Sequence, residues 1–564
     1  QLIHIETITN LSDKVVDGKN VFREKVYNRL NRMVENHARG KRKMRAVMDE
    51  LAKRAGFEKG YAGVKQALER GIFKETKLTI QLIKDGKTYN KAFNTDELLR
   101  IYALSLNEVQ RAKLEAQGID AETLERIKAE LGPELVDFAD IVVQYLSDVY
   151  FDSVNDVYAD VNDVNLGFIP NYFPTRTEQS KLEGDMLTKG NFSGIFNADT
   201  APALKDRTDT KGPIVFDASF TGVLENHIDT MEKYKAYARG VKQLNEFFTI
   251  PAVDNLLGEK VGIGVLKTLK QLINNHINPD AGVKFLKTDN IIDKLTRKYT
   301  GFALAFKVMQ IPKQASSFAM AVTDYSFFGE NSNIPKIISN PIDIVMFMVD
   351  TATLIAELGI EMFTQDGPLA QAREMSATFD ERIAQGLEGD VYGLESGQNP
   401  RGKITKRKTK AGRALRGART AAGATTAIGD IGGVLGYLVN YRRNIKNGMS
   451  QEQAVEAFNN YNATQQTRRG TERTPLQNIR HPLIRPFIMF GSTILLQINK
   501  VMQATKYIMD SYGNAVDEIA NADFSTKEKA KESIKKIFAE RGRAKDYRSL
   551  AMNYAIANVL FTTM

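Results

Sequence analysis

The sequence predicts a mainly α-helical chain carrying one small β-hairpin near 77–93. Three observations lead there. Proline is scarce, at 15 in 564 residues. Apolar residues recur at spacings of three and four between charged ones over long stretches. Helix-capping residues punctuate those stretches at the expected offsets. Each element can be taken in order.

Residues 20–55 form a charged amphipathic run with Val21, Val26, Leu30, Met33 and Val34 on one stripe. The exception to the helical pattern follows at 77–93. Leu78, Ile80 and Leu82 alternate, and Asp85-Gly86 supplies the positive φ angles a tight hairpin turn requires. A helix is expected directly afterwards, with Asn94 as cap, Glu97 as its capping-box partner and Gly118 closing the run 103–117. Asp120 caps a second helix over 121–131, ended by Gly132-Pro133. A third, over about 134–160, turns Leu135, Phe138, Ile141, Val142, Tyr145 and Leu146 toward a core. Gly167 to Pro174 cannot be helical, because each proline forces the residue before it into an extended conformation.

Helices resume at about 220–248, 262–277, 289–325 and 341–363. The last third carries further ones at 450–463 and 482–518, a charged helix capped by Ser525 with Glu528, and an apolar tail at 549–561. Five regions result: an N-terminal helical region with the hairpin (1–160), an extended boundary (161–215), a central helical region (216–385), a polar then basic linker (386–419) and a C-terminal helical region (420–564).

Composition closes off some chemistry. The chain has no cysteine, so disulfides, thiolate metal sites and a thiol nucleophile are excluded. It has no Gly-x-Ser-x-Gly elbow and no Gly-x-x-x-x-Gly-Lys-Ser/Thr loop. None of its five histidines (His4, His37, His227, His276 and His481) sits in His-Glu-x-x-His. Gly258 to Gly264 reads as a loop opening a helix, in preference to a phosphate site that would need a preceding strand. Asp148, Asp152, Asp156, Asp160 and Asp163 recur at helical spacing and could supply oxygen ligands to Mg²⁺ or Ca²⁺, but read better as a solvated acidic face. No catalytic residue, cofactor or metal is expected.

Net charge is +9, and much of it is local. Arg401, Lys403, Lys406, Arg407, Lys408, Lys410, Arg413, Arg416 and Arg419 fall in one stretch without an acid. Such a strip can displace counterions from phosphates or face anionic lipid; a flexible loop with solvated charge is the competing reading. Beside it, residues 420–440 hold two overlapping Gly-x-x-x-Gly spacings, Gly429/Gly433 and Gly432/Gly436, which let helices approach closely in lipid or in a tight bundle. Asp430 in mid-segment argues against a constitutive span.

Four blocks in order then carry a resemblance. They are Asn94 to Gly118 after the Lys84-Asp85-Gly86-Lys87 turn; Asn171-Tyr172-Phe173-Pro174; 301–318, ending Val308 to Phe318; and Asn462 to Thr467, followed by Pro486-Phe487-Ile488-Met489-Phe490. Together they resemble the helical large polyvalent protein regions of tailed-phage internal virion (ejection) proteins and giant phage polyproteins. That group has no established catalytic residues to carry over. The resemblance implies a virion component, held in the capsid interior, portal or tail lumen and moved to the host envelope on ejection. Its implied partners are portal or other virion proteins and further copies of itself, with phage DNA and the host membrane met during delivery. The alternative is a non-catalytic segment of a giant virion protein whose other regions carry an RNA polymerase or cell-wall lytic activity. The first residue, Gln1, is not Met, and the opening reads as mid-domain, so a fragment or processed product is expected.

Overall fold

In the computed structural model, the structure describes residues 5–15, 21–73, 78–84, 86–175, 218–277, 367–380, 448–465, 511–523 and 525–538, with scattered single residues elsewhere. The described residues are mainly helical, with one two-stranded antiparallel sheet. The chain divides into two compact units. One comprises 1–35, 246–393 and 408–564; the other comprises 36–245 and 394–407.

The second unit begins within helix α2 (Arg29–Arg54), followed by α3 (Tyr61–Phe73). Strands β1 (Leu78–Lys84) and β2 (Lys87–Phe93) pair from Leu78 with Phe93 to Lys84 with Lys87, leaving a two-residue turn in which Gly86 has φ 72°. The alternation has the expected effect: Ile80 and Leu82 are buried while Ile83 is exposed. Next come α4 (Thr95–Ser105), α5 (Glu108–Ala116) and α6 (Ala121–Leu131). Asn94 and Glu97 form the reciprocal capping box, and Asp120 accepts from Thr123 N.

The run expected to reach 117 unbroken is interrupted at 106–107. Asn107 leaves the helix, caps the next one by accepting from Gln110 N, and donates to the Pro170 carbonyl at 2.8 Å. Gly118 does end α5, and its place demands glycine twice over. Its φ is 93°, and an added Cβ would lie 2.9 Å from the Gln81 carbonyl oxygen on β1.

The helix expected over 134–160 is α7 (Pro133–Tyr145) and α8 (Phe151–Asn162), joined through a π-helical turn, Leu146–Tyr150. Its cause is visible in the sequence. Val142, Leu146, Tyr150 and Val154 follow at three successive steps of four, and on a straight α-helix these would walk roughly 120° around the axis. One extra residue in a π turn takes back about 100°, so all four stay buried. The residues after α8 are non-helical through Pro170 and Pro174, with a turn at Pro170–Asn171 where Asn171 has φ 48°. Helix α9 (Phe220–Thr249) starts where the buried Asp96 accepts from Thr221 N at 3.0 Å and from its hydroxyl at 2.6 Å. Phe138 lies at the aromatic centre of this unit, with Phe57, Tyr61 and Phe220 around it.

In the first unit, α1 (Ile5–Val15) precedes a π-helical turn, Arg23–Asn28, that leads into α2. From the predicted stripe, Val26, Leu30 and Met33 are buried, whereas Val21 is exposed. Asp13 accepts from the backbone N–H groups of Phe22 (2.6 Å) and Arg23 (2.8 Å), tying α1 to that turn. Helix α10 (Pro251–Leu257) continues through another π-helical turn, Gly258–Gly262, into α11 (Ile263–Ile277). The glycine segment expected as a loop is therefore helical up to Gly262, where φ reaches 101°. Helices α12 (Pro368–Met375) and α13 (Gln451–Gln465) also belong here. The Glu35 carboxylate accepts from Ala377 N (2.6 Å), Thr378 N (3.1 Å) and the Thr378 hydroxyl (2.9 Å), at the positive end of the helix beginning at 377. At 527–538 the helix is capped by Thr526, which accepts from Lys529 N, and not by Ser525.

Asp13 gives this unit a pH dependence with a definite sign. Burial raises its carboxyl from 3.8 to about 6, against the two amides and Arg23, which favour the charged form. A carboxyl raised in the fold binds its proton more tightly folded than unfolded. Its contribution is therefore fully present below pH 3.8 and is lost as pH rises through about 6. Stability of this unit should fall by about 2 kcal/mol from this group between pH 4 and 7. Urea denaturation across that range checks it. Asp13→Asn should flatten the profile, and a rise in stability over the window would show the sign to be wrong.

Candidate functional site

Buried polar groups in the second unit converge where the π-helical turn faces α9. That turn sets Tyr150 inward at 3% exposed, opposite Glu232 at 4%. The Tyr150 hydroxyl donates to Glu232 Oε1 at 3.0 Å, and Lys235 Nζ donates to the same oxygen at 2.9 Å. Lys235 also reaches Ser153 Oγ at 3.2 Å and lies over the Tyr150 ring. Burial, with the Glu232 carboxylate beside it, pushes the Tyr150 hydroxyl far above its ordinary range, so it remains a donor.

The backbone of α2 completes the arrangement. A Cβ on Gly40 would collide with the Glu232 carboxylate, so the glycine provides the space that lets the acid lie inward. One turn along α9, Asp229 meets His37 and Lys41. His37 Nε2 lies 3.3 Å from Asp229 Oδ1 and 3.1 Å from its carbonyl oxygen, and Lys41 Nζ lies 3.3 Å from Oδ1. Desolvation alone would raise the Asp229 carboxyl. The His37 hydrogen bond and the Lys41 charge outweigh it and hold the group well below the usual range.

On the other side of Tyr150 is a cavity of about 20 Å³, lined by Ser147, Tyr172, His227 and Met231 among others. Its size suits a water molecule. Ser147 Oγ accepts from Tyr172 N at 2.7 Å, and the Tyr172 and His227 rings lie 5.5 Å apart. This cluster can cross-link α2, α8 and α9. Its carboxylates are each engaged by cations or hydroxyls, which suits fixing a helix register.

The residues singled out from sequence lie elsewhere. Arg401, Lys403, Lys406, Arg407, Lys408, Lys410, Arg413, Arg416 and Arg419, and Gly429, Gly432, Gly433 and Gly436, are outside the described residues. Asp148, Asp152, Asp156, Asp160 and Asp163 are all exposed, the solvated face that was expected. Among the described residues no group of three or more acids and histidines could hold a metal ion together, and no helix is long and apolar enough to cross a membrane. The Tyr150–Glu232–Lys235 cluster is not among the sites expected from sequence. A glycine at position 40, inside an otherwise strong helical run, is the signal that points to it.

By fold and site, the chain is a mainly helical protein built around buried polar cross-links. No family model, no curated protein and no solved structure matches it.

Proposed function

We propose that the chain is a structural component of a tailed-phage particle: an internal or ejection protein at the portal or tail lumen that aids genome delivery across the host envelope. The four ordered sequence blocks suggest the class. The observation that carries the reading is an exposed apolar stripe near the end of the chain. Met509, Tyr512, Val516 and Ile519 are 68%, 52%, 62% and 57% exposed. Their spacing of three, four and three is the seam of helices that pack side by side. Ile534 and Phe538, one turn apart on the helix at 527–538, are exposed as well. Contiguous open apolar surface of this kind marks an interface with other subunits, as a component of a large assembly needs.

Quantitative mass spectrometry of purified particles tests the reading. The chain should co-purify with DNA-filled particles at a fixed stoichiometry, cross-link to portal components and be depleted from particles that have emptied. Finding it only as a free cytoplasmic monomer in infected cells would overturn the proposal.

A further inference from the structure

We infer that the two exposed stripes near the end of the chain pair with those of a second copy, the first helix of each lying along the second helix of the other. This rests on the proposed reading of the surface as a subunit interface and names its occupant. Residues 511–520 are helical, and so are 527–538. On the first helix Ser511 and Ala515 are buried, which fixes the side that Met509, Tyr512, Val516 and Ile519 present outward. On the second, Ile534 and Phe538 are exposed beside Lys527, Lys531 and Lys535, which follow at steps of four along one side.

The two helices carry opposite charge. Between Lys506 and Lys527 the chain has four acids, Asp510, Asp517, Glu518 and Asp523, and no Lys or Arg. The helix at 527–538 has five lysines against two glutamates. Lys529 is engaged with Asp523, and Lys536 with Glu532. Among the described residues, Lys527, Lys531 and Lys535 make no ion pair, and neither do Asp517 and Glu518. One copy thus offers an acidic apolar stripe about 15 Å long and a basic one of about 17 Å. A second copy related by a two-fold axis supplies the complement of both at once, and such a pairing closes on itself at two. Pairing the first helices with each other in parallel would instead set Asp517 and Glu518 against their own counterparts. An anionic lipid surface would accept the lysines and repel the acids beside the longer apolar stripe. Gly513 adds a second observation. Glycine weakens a helix interior, and among the described residues nothing lies within 4 Å of where its Cβ would stand. That open space, next to Tyr512 and one turn from Val516, gives a partner helix room to approach.

Sedimentation equilibrium of the full chain should give twice 63.0 kDa at micromolar concentration, with the dimer weakening as salt rises. Lys531→Glu with Lys535→Glu should raise the dissociation constant at least about tenfold, and so should Asp517→Lys with Glu518→Lys. All four substitutions together should restore most of the affinity, because the charges then match again in the reversed sense. Circular dichroism checks the fold of each variant. Should one misfold, carbodiimide cross-linking of the unsubstituted protein decides: in a mixture of labelled and unlabelled copies, Asp517 or Glu518 of one should join Lys531 or Lys535 of the other. A monomer at every concentration, an unmoved dissociation constant, no regain in the combined variant, or cross-links confined to one copy overturns the inference. Packaging is read separately. A chain found in particles yet monomeric in solution sinks this pairing and leaves the proposed function standing, whereas a dimer absent from particles does the reverse.

Discussion

Phe138→Ala should lower the stability of the second unit by about 4 kcal/mol. Phe138 is fully buried, and three aromatic neighbours surround it at centroid distances of 6.3 Å (Phe57), 6.1 Å (Tyr61) and 6.0 Å (Phe220). Phe220 in turn stacks on Phe173 at 4.8 Å, so the ring at 138 supports packing between α7, the start of α9 and the extended segment carrying Phe173. Truncation removes the transfer free energy of a whole ring and leaves a space that helices anchored at both ends cannot close. Edge-to-face packing adds up to about 1 kcal/mol for each ring pair beyond area. Phe138→Leu should cost less than half as much, because it keeps most of the volume. Differential scanning calorimetry should place the transition of this unit roughly 10 °C lower for the alanine variant. A shift of only a degree or two would mean that this aromatic centre does not anchor the unit.

What is readable from sequence is local, and what escapes it is not. The hairpin, the capping box at Asn94 and Glu97, and the cap at Asp120 depend on residues within a few positions of one another. The break at Asn107 depends on a carbonyl 63 residues away, at Pro170. Asn107 with Gln110 three residues on is a local cap signature, but its tie to Pro170 has no counterpart in the nearby sequence. The π-helical turn at Leu146–Tyr150 is an intermediate case. Three steps of four are present in the sequence, but they signal a π turn only if all four residues must face one core. Cap choice between Ser525 and Thr526 turns on one residue, and the hydroxyl that meets Lys529 N decides it. The same contrast applies to the candidate site. Glu232 and Lys235 have the spacing of an ordinary solvated pair, and only the approach of α2 at Gly40 turns Glu232 inward.

That inward glutamate yields the second large effect. Glu232→Ala should destabilise the second unit by about 3 kcal/mol, because it leaves the buried Tyr150 hydroxyl and the Lys235 ammonium without their shared acceptor. Tyr150→Phe should cost about 1–2 kcal/mol alone and almost nothing once Glu232 is alanine, a coupling that a double-mutant cycle in urea measures directly. Gly40 supplies a sharper test, since replacing glycine by alanine inside a helix ordinarily gains about 0.5–1 kcal/mol. Here the added methyl meets the Glu232 carboxylate, held in place by Tyr150 and Lys235, so Gly40→Ala should be destabilising in the natural sequence. In the Glu232→Ala background the obstacle is gone, and the same substitution should become neutral or stabilising. A reversal of sign between the two backgrounds cannot come from helix propensity, which is identical in both. It requires the α2 backbone and the Glu232 carboxylate to touch. If Gly40→Ala stabilises the protein in both backgrounds, the acid does not lie where the cluster needs it, and Tyr150 and Lys235 lose their common acceptor.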